Sequence, residues 1–175
     1  FRGGVVLRGV EHTIAARVQC TGIGLHTGEP VDLALRPAAP GTGILFVRTD
    51  LEKPTRFPAR AEWVTDTTLA TTLGNEDASL STIEHLVAAL RGMGIDNCTV
   101  EVSGPELPIM DGSAGSFVYL IQQAGVRSQA RMRRRPPASA SIAAWPCSRL
   151  PPLLQVARRP VASRRSAGRR ECGLN

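Results

Sequence analysis

No apolar run in this sequence approaches ~20 residues, so no transmembrane helix is expected. Residues 1–8 hold no long apolar region or cleavage site, so a secretory signal peptide is not expected there. The first residue is Phe1 rather than Met, and the expectation is that the true start lies upstream. Cysteine is sparse and scattered. Cys20, Cys98, Cys147 and Cys172 form no Cys-x-x-Cys pair, which argues against a cysteine zinc cluster. Cys20 and Cys98 fall in expected strands, where buried free thiols are common, so a reducing, cytoplasmic setting is expected. Gly22-Ile-Gly-Leu-His-Thr-Gly28 lacks the Lys-Ser/Thr of a P-loop and does not meet the G-x-G-x-x-G fingerprint. It reads as a turn whose backbone can approach another group closely. There is no RRM, KH, zinc-finger or helix-turn-helix signature and no internal repeat, so no specific nucleic-acid partner is expected.

Charge divides the chain. Residues 1–126 hold nine Lys and Arg against fourteen Asp and Glu, a net of −5. Residues 127–175 hold twelve Arg, no Lys and the single acid Glu171, a net of +11. The high isoelectric point belongs to the second part alone. That part is rich in Arg, Ala, Pro and Ser, keeps no period, and is expected to be disordered or the product of an out-of-frame reading. The domain organisation expected is a poorly defined segment 1–12, an α+β domain 13–126 and the tail 127–175.

Strands are expected at 13–20, at Glu29–Arg36 (Val31, Leu33 and Leu35 alternating with Asp32, Ala34 and Arg36), at Ile44–Thr49, at 67–73 and at Asp96–Val102. Residues 55–64 read as extended, with Pro58 marking an edge. Pro105–Gly112 reads as a loop. A helix follows over about 113–124, capped by Asp111 or Ser113 and stopped by Gly125. Strands, helix, strand, helix is the order of an α+β fold, a two-layer sandwich of a mixed sheet with two helices on one face.

The clearest helix lies within 79–92. Ile83, Leu86, Val87 and Leu90 make one apolar stripe, Ser81 and Glu84 have capping-box spacing, and Gly92 suits a C-terminal cap. His85 falls about 160° from that stripe, on a face of Ala88, Ala89 and Gly92. Small residues around one His suggest that something packs or binds there. Glu84-His85 has two readings. The imidazole can ligate zinc while the carboxylate acts as general base. Alternatively Glu84 closes the capping box and His85 is a surface histidine. Catalytic zinc normally takes three protein ligands, and the spacing of His12 and His26 does not demand a shared metal.

Five stretches in order make the sequence recognisable: Val18–Gly28, Arg48-Thr-Asp50, Ser81-Thr-Ile-Glu-His-Leu86, Gly94-Ile-Asp-Asn97 and Pro108-Ile-Met-Asp-Gly-Ser113. Over residues 17–126 the chain resembles the N-terminal half of the UDP-3-O-acyl-N-acetylglucosamine deacetylases, the zinc amidases of lipid A biosynthesis. The resemblance implies a first domain that packs its helix layer against that of a similar second domain. It implies that His85 is a zinc ligand, that Glu84 is the general base, and that the stretch around Thr67 and Leu69 lines the substrate site. The implied substrate is UDP-3-O-(3-hydroxyacyl)-N-acetylglucosamine, cleaved to acetate and the free amine, with Zn2+ as cofactor and a monomeric state.

The resemblance stops near Val126. The family's other zinc ligands, in a His-Lys-x-x-x-Asp motif, come from the second domain, and no histidine follows His85 here. The chain is therefore expected to be an inactive, marginally stable fragment. The alternative is a non-catalytic binding module whose cationic tail binds nucleic acid or anionic membrane nonspecifically.

Overall fold

The computed structural model describes residues 9–133. Expectations for residues 1–8, and for the disorder and anionic partners of the Arg-rich stretch from 134 onward, lie outside the described residues. The elements are β1 (Val10–Ile14), β2 (Val18–Ile23), β3 (Pro30–Pro37), β4 (Ile44–Arg48), β5 (Thr55–Pro58), β6 (Val64–Asp66), β7 (Thr72–Gly74), β8 (Ser79–Leu80), α1 (Glu84–Gly92), β9 (Cys98–Val102), α2 (Gly115–Ala124) and β10 (Val126–Met132). A single 3-10 turn, Ala61–Trp63, leads into β6. The fold is α+β, as the element order predicts.

The main sheet runs β2-β3-β9-β4-β5. It is mixed, because β9 pairs antiparallel with β3 and parallel with β4. Register places Cys20, Leu33 and Val102 in one row across the sheet, and Leu35, Val100, Phe46 and Phe57 in the next. Leu33, Leu35, Phe46, Phe57, Val100 and Val102 are buried, and they join Leu86, Ala89 and Leu90 of α1 and Phe117 and Ile121 of α2 in one cluster. The opposite face is polar, with Thr21 donating to Asp32 at 2.6 Å and Arg36 donating to Glu101 at 2.7 Å. This alternation is the one read in residues 29–36. β5 is an edge strand, where Pro58 forfeits no ladder bond. A small sheet β6-β7-β8 precedes α1, and β1 and β10 form a separate antiparallel ribbon.

Several local expectations are corrected. The strand expected at 13–20 is two strands, split by a turn at Ala15–Arg17 whose amides reach Gly125 and Ala124 carbonyls at 2.9 and 3.1 Å. Residues 10–12 of the segment read as poorly defined belong to β1. Residues 67–71 are a bend, not strand. Residues 127–132, assigned to the tail, belong with Val126 to strand β10 (Val126–Met132). It is held there by Gln129, which accepts from Asn97 at 2.8 Å and donates to the Ala38 carbonyl at 2.7 Å, and by Arg131 at 3.3 Å from Glu11. The left-handed residue that ends α1 is Gly94 (φ 72), two residues beyond Gly92. The Gly125 stop is as read.

Among the described residues no helix is long and apolar enough to cross a membrane. A chain ended at Val126 is expected to unfold about 2–4 kcal/mol more readily than one ended at Arg133, because those hydrogen bonds leave with β10. Urea unfolding of the two chains checks this, and equal midpoints would refute the structural role given to β10.

Candidate functional site around Glu84 and His85

Glu84 is the first residue of α1, where a carboxylate meets the positive end of the helix dipole. The expected capping box is not formed. No side chain caps α1, and Ser81 gives its N–H to the Pro105 carbonyl at 2.9 Å. The Glu84 carboxylate turns instead toward the Thr71 N–H, which donates to Oε1. Partial burial pushes the Glu84 carboxyl up. The hydrogen bonds from Thr71 and from its own N–H, with His85 beside it, outweigh this and hold it below its ordinary value. Glu84 is thus an exposed, ionised carboxylate with one fixed oxygen.

The buried stripe of α1 is Leu86, Ala89 and Leu90, with Met93 half-buried. It is rotated toward Ala89 relative to the stripe read from sequence. Ala89 is therefore core rather than part of an outer face, whereas Ala88 and Gly92 are exposed. His85 lies about 90° from this stripe and is half-buried at the edge of the helix.

The bend before β7 supplies the second part of the site. Asp66 Oδ1 accepts from the Thr68 hydroxyl at 2.7 Å and from the N–H groups of Thr67 and Thr68 at 2.8 and 3.0 Å. The Thr68 hydroxyl and then its N–H hold the Asp66 carboxyl below its usual range. Thr67 is exposed, and Leu69 presents 82 % of its surface to solvent. The structure brings this bend to Glu84 through Thr71.

The third part is the glycine-rich turn and the loop beside it. Gly24 sits so close to Glu106 that a Cβ on it would lie 2.5 Å from Oε2. This is the close approach the glycines predict. Glu106 is 1 % exposed and accepts from the His26 N–H at 3.1 Å, the Thr27 N–H at 3.0 Å and the Thr82 hydroxyl at 2.8 Å. Burial pushes its carboxyl up, and these donors more than offset that, leaving it below its ordinary 4.5. Thr82 has φ 60 and Met110 φ 55. A left-handed β-branched residue costs about 1–3 kcal/mol and persists only where its surroundings demand it. Sequence reasoning missed Glu106 and Thr71. The signal for Glu106 was an acid in an otherwise apolar stretch, Leu107-Pro-Ile-Met110. Asp111 accepts from the Ser113 N–H and hydroxyl at 3.1 and 3.0 Å, and Ser113 accepts from the Gly115 N–H at 3.0 Å. Both therefore shape the approach to α2, but its N-cap residue is Ala114, with no side-chain cap bond, rather than the Asp111 or Ser113 read from sequence.

Among the described residues no three His, Cys, Asp or Glu side chains converge. His12 is buried, with Nδ1 3.2 Å from Arg133 Nη2 and 3.7 Å from an Asp96 oxygen. His26 contributes its backbone to Glu106. Among the described residues His85 lacks the partners a zinc ion requires. Burial pushes the Cys98 thiol up to about 12, so it is no thiolate ligand.

The family model described as LpxC, UDP-3-O-acyl N-acetylglycosamine deacetylase, matches residues 11–144. The chain belongs to this deacetylase family. It is 59 % identical to the UDP-3-O-acyl-N-acetylglucosamine deacetylase of Myxococcus xanthus over 119 residues, which cover 68 % of this chain and 38 % of that protein. The protein of that name from Methylococcus capsulatus is 57 % identical over 119 residues, and that from Coxiella burnetii 52 %, each match covering 68 % of this chain and 39 % of the relative. The chain thus spans about two-fifths of the length of these relatives.

Glu106 gives a test of the site's electrostatics. Its lowered carboxyl adds stability that is present above the unfolded-state value and is lost as pH falls through the folded-state value, below 4.5. Urea midpoints of the wild type should therefore fall more steeply below that pH than those of Glu106→Gln. Parallel curves would contradict the hydrogen bonding described.

Proposed function

We propose that this chain supplies the N-terminal part of a UDP-3-O-acyl-N-acetylglucosamine deacetylase of lipid A synthesis. In this reading Glu84 is the general base, His85 is one ligand of a zinc ion, and the bend bearing Thr67 and Leu69 is part of the substrate site. The observation that carries the reading is the Glu84 carboxylate, ionised, open to solvent and fixed on one oxygen by the Thr71 N–H at the edge of that bend. Family membership supplies the substrate class, a UDP-sugar bearing an acetamide. A cytoplasmic location and a monomeric state belong to the same reading.

The chemistry assigned to this chain's residues is limited to what they can do. Glu84 accepts a proton from the water that adds to the acetamide carbonyl, and can return it to the departing amine, leaving acetate and the free glucosamine amine. The oxygen bonded to Thr71 stays fixed, and the other is the one left to take the proton. Zinc, when bound in a complete ligand shell, would polarise the carbonyl. The described residues do not make that shell, so the reading holds 1–175 to be inactive by itself.

Two measurements test this. Purified 1–175, with zinc added, is expected to release no acetate from the UDP-sugar. A chimera joining residues 1–133, which keep β10 whole, to the remainder of the Myxococcus xanthus relative is expected to be active, and Glu84→Gln in it to lower kcat by about 10²–10⁴. An active 1–175, or a chimera indifferent to Glu84→Gln and His85→Ala, overturns the assignment.

A further inference from the structure

We infer that Glu106 is a positioning residue: it blocks the capping box encoded by Ser81-Thr82-Ile83-Glu84 and so keeps the Glu84 carboxylate facing the site. The inference rests on the reading of Glu84 as the reactive carboxylate.

The sequence can satisfy the start of α1 in two ways. In a capping box the Ser81 hydroxyl would accept from the Glu84 N–H, and the Glu84 carboxylate would turn back onto the Ser81 N–H. That arrangement is local, requires no distant partner, and would withdraw the carboxylate from the bend at 66–71. The structure holds the other arrangement. The Ser81 N–H, the donor the box needs, is given to the Pro105 carbonyl at 2.9 Å, and Leu107 donates to the Ser81 carbonyl at 3.1 Å. Between Ser81 and the helix, Thr82 takes φ 60, which excludes it from a helical first turn. What keeps it there is its hydroxyl bond to the buried Glu106 at 2.8 Å.

Glu106 is itself immobilised from the far side. His26 and Thr27 donate their N–H groups to it, and Gly24, which has no Cβ, lets the turn close this tightly on the carboxylate, since a Cβ there would clash with Thr27 Oγ1 and with Glu106 Oε2. The glycine-rich turn thus acts on Glu84 without touching it, through Glu106 and then Thr82. This also explains why a strong local signal, the capping-box spacing, is overruled. A carboxylate with three backbone and hydroxyl donors fixes the backbone two residues ahead of Glu84.

The inference is tested on 15N,13C-labelled 1–175 by NMR, which reads the helix start and the Thr71 amide directly and needs no activity. In Glu106→Ala, residues 81–83 should acquire helical carbon shifts, and the Thr71 amide should lose its downfield position and its exchange protection. Adding Ser81→Ala to that variant deletes the hydroxyl half of the competing box, weakens it, and should return the Thr71 amide toward its wild-type position. If Glu106→Ala does not fold, Thr82→Val, which deletes only the hydroxyl bond, should show the same two changes to a smaller extent. Unchanged Thr71 and 81–83 signals in the folded variant, or a double variant that fails to restore Thr71, overturn the inference. A chimera indifferent to Glu84→Gln would sink the catalytic reading while leaving these shifts intact, so the two failures are distinguishable.

Discussion

Strand β9 is the constraint on which the rest depends. It is the last strand of the main sheet in chain order, yet it lies at its centre, bonded to β3 on one side and to β4 on the other. Until it is inserted, β2-β3 and β4-β5 are two separate hairpins. Its inward residues Cys98, Val100 and Val102 are fully buried. α1 is the element that carries the chain back to this slot, so its position is set at its C-terminal end by the sheet. Asn97, just ahead of β9, donates to Glu11 at 2.9 Å and accepts from the Gly43 N–H at 2.8 Å, which aligns the strand with both the ribbon and β4.

At its N-terminal end α1 is set by a different kind of contact. There the apolar core gives way to charged and polar groups with fixed partners: Glu106 with the turn and Thr82, Asp66 with its own bend, Glu84 with Thr71. Thr82, one of two non-glycine residues with positive φ among the described residues, lies here. A helix anchored by packing at one end and by long-range hydrogen bonds at the other can hold a carboxylate in an orientation that its own sequence does not favour. Strain of this sort is found where a side chain must be presented rather than merely accommodated.

What could be read from sequence follows the range of the forces involved. The alternation of Val31, Leu33 and Leu35 and the helix ending at Gly125 are local and were legible. The split between β1 and β2 was not, because Ala15-Ala16-Arg17 turns without Gly or Pro, tied instead to carbonyls at the end of α2. Thr67–Thr71 looked like strand by composition, but Asp66 captures the hydroxyl and amides that a ladder would use. β10 was hidden by its arginines. It is largely exposed and needs no apolar face, because its bonds go to Glu11, Ala38 and Asn97. The Glu84-His85 pair was visible as a motif. Its orientation was not, since it depends on an acid twenty-two positions further along the chain.

The pairing of β1 with β10 has a consequence for the order of events during synthesis. Residues 10–14 leave the ribosome ahead of the other described strands, and their strand partner among the described residues, 126–132, is made more than a hundred residues later. Closing so long a loop is slow compared with forming a hairpin. Throughout that interval β1, with His12, Thr13 and Ile14 destined for burial, has no ladder of its own. The ribbon therefore closes only after residues 126–132 have been made, later than the β2-β3 and β4-β5 hairpins can form.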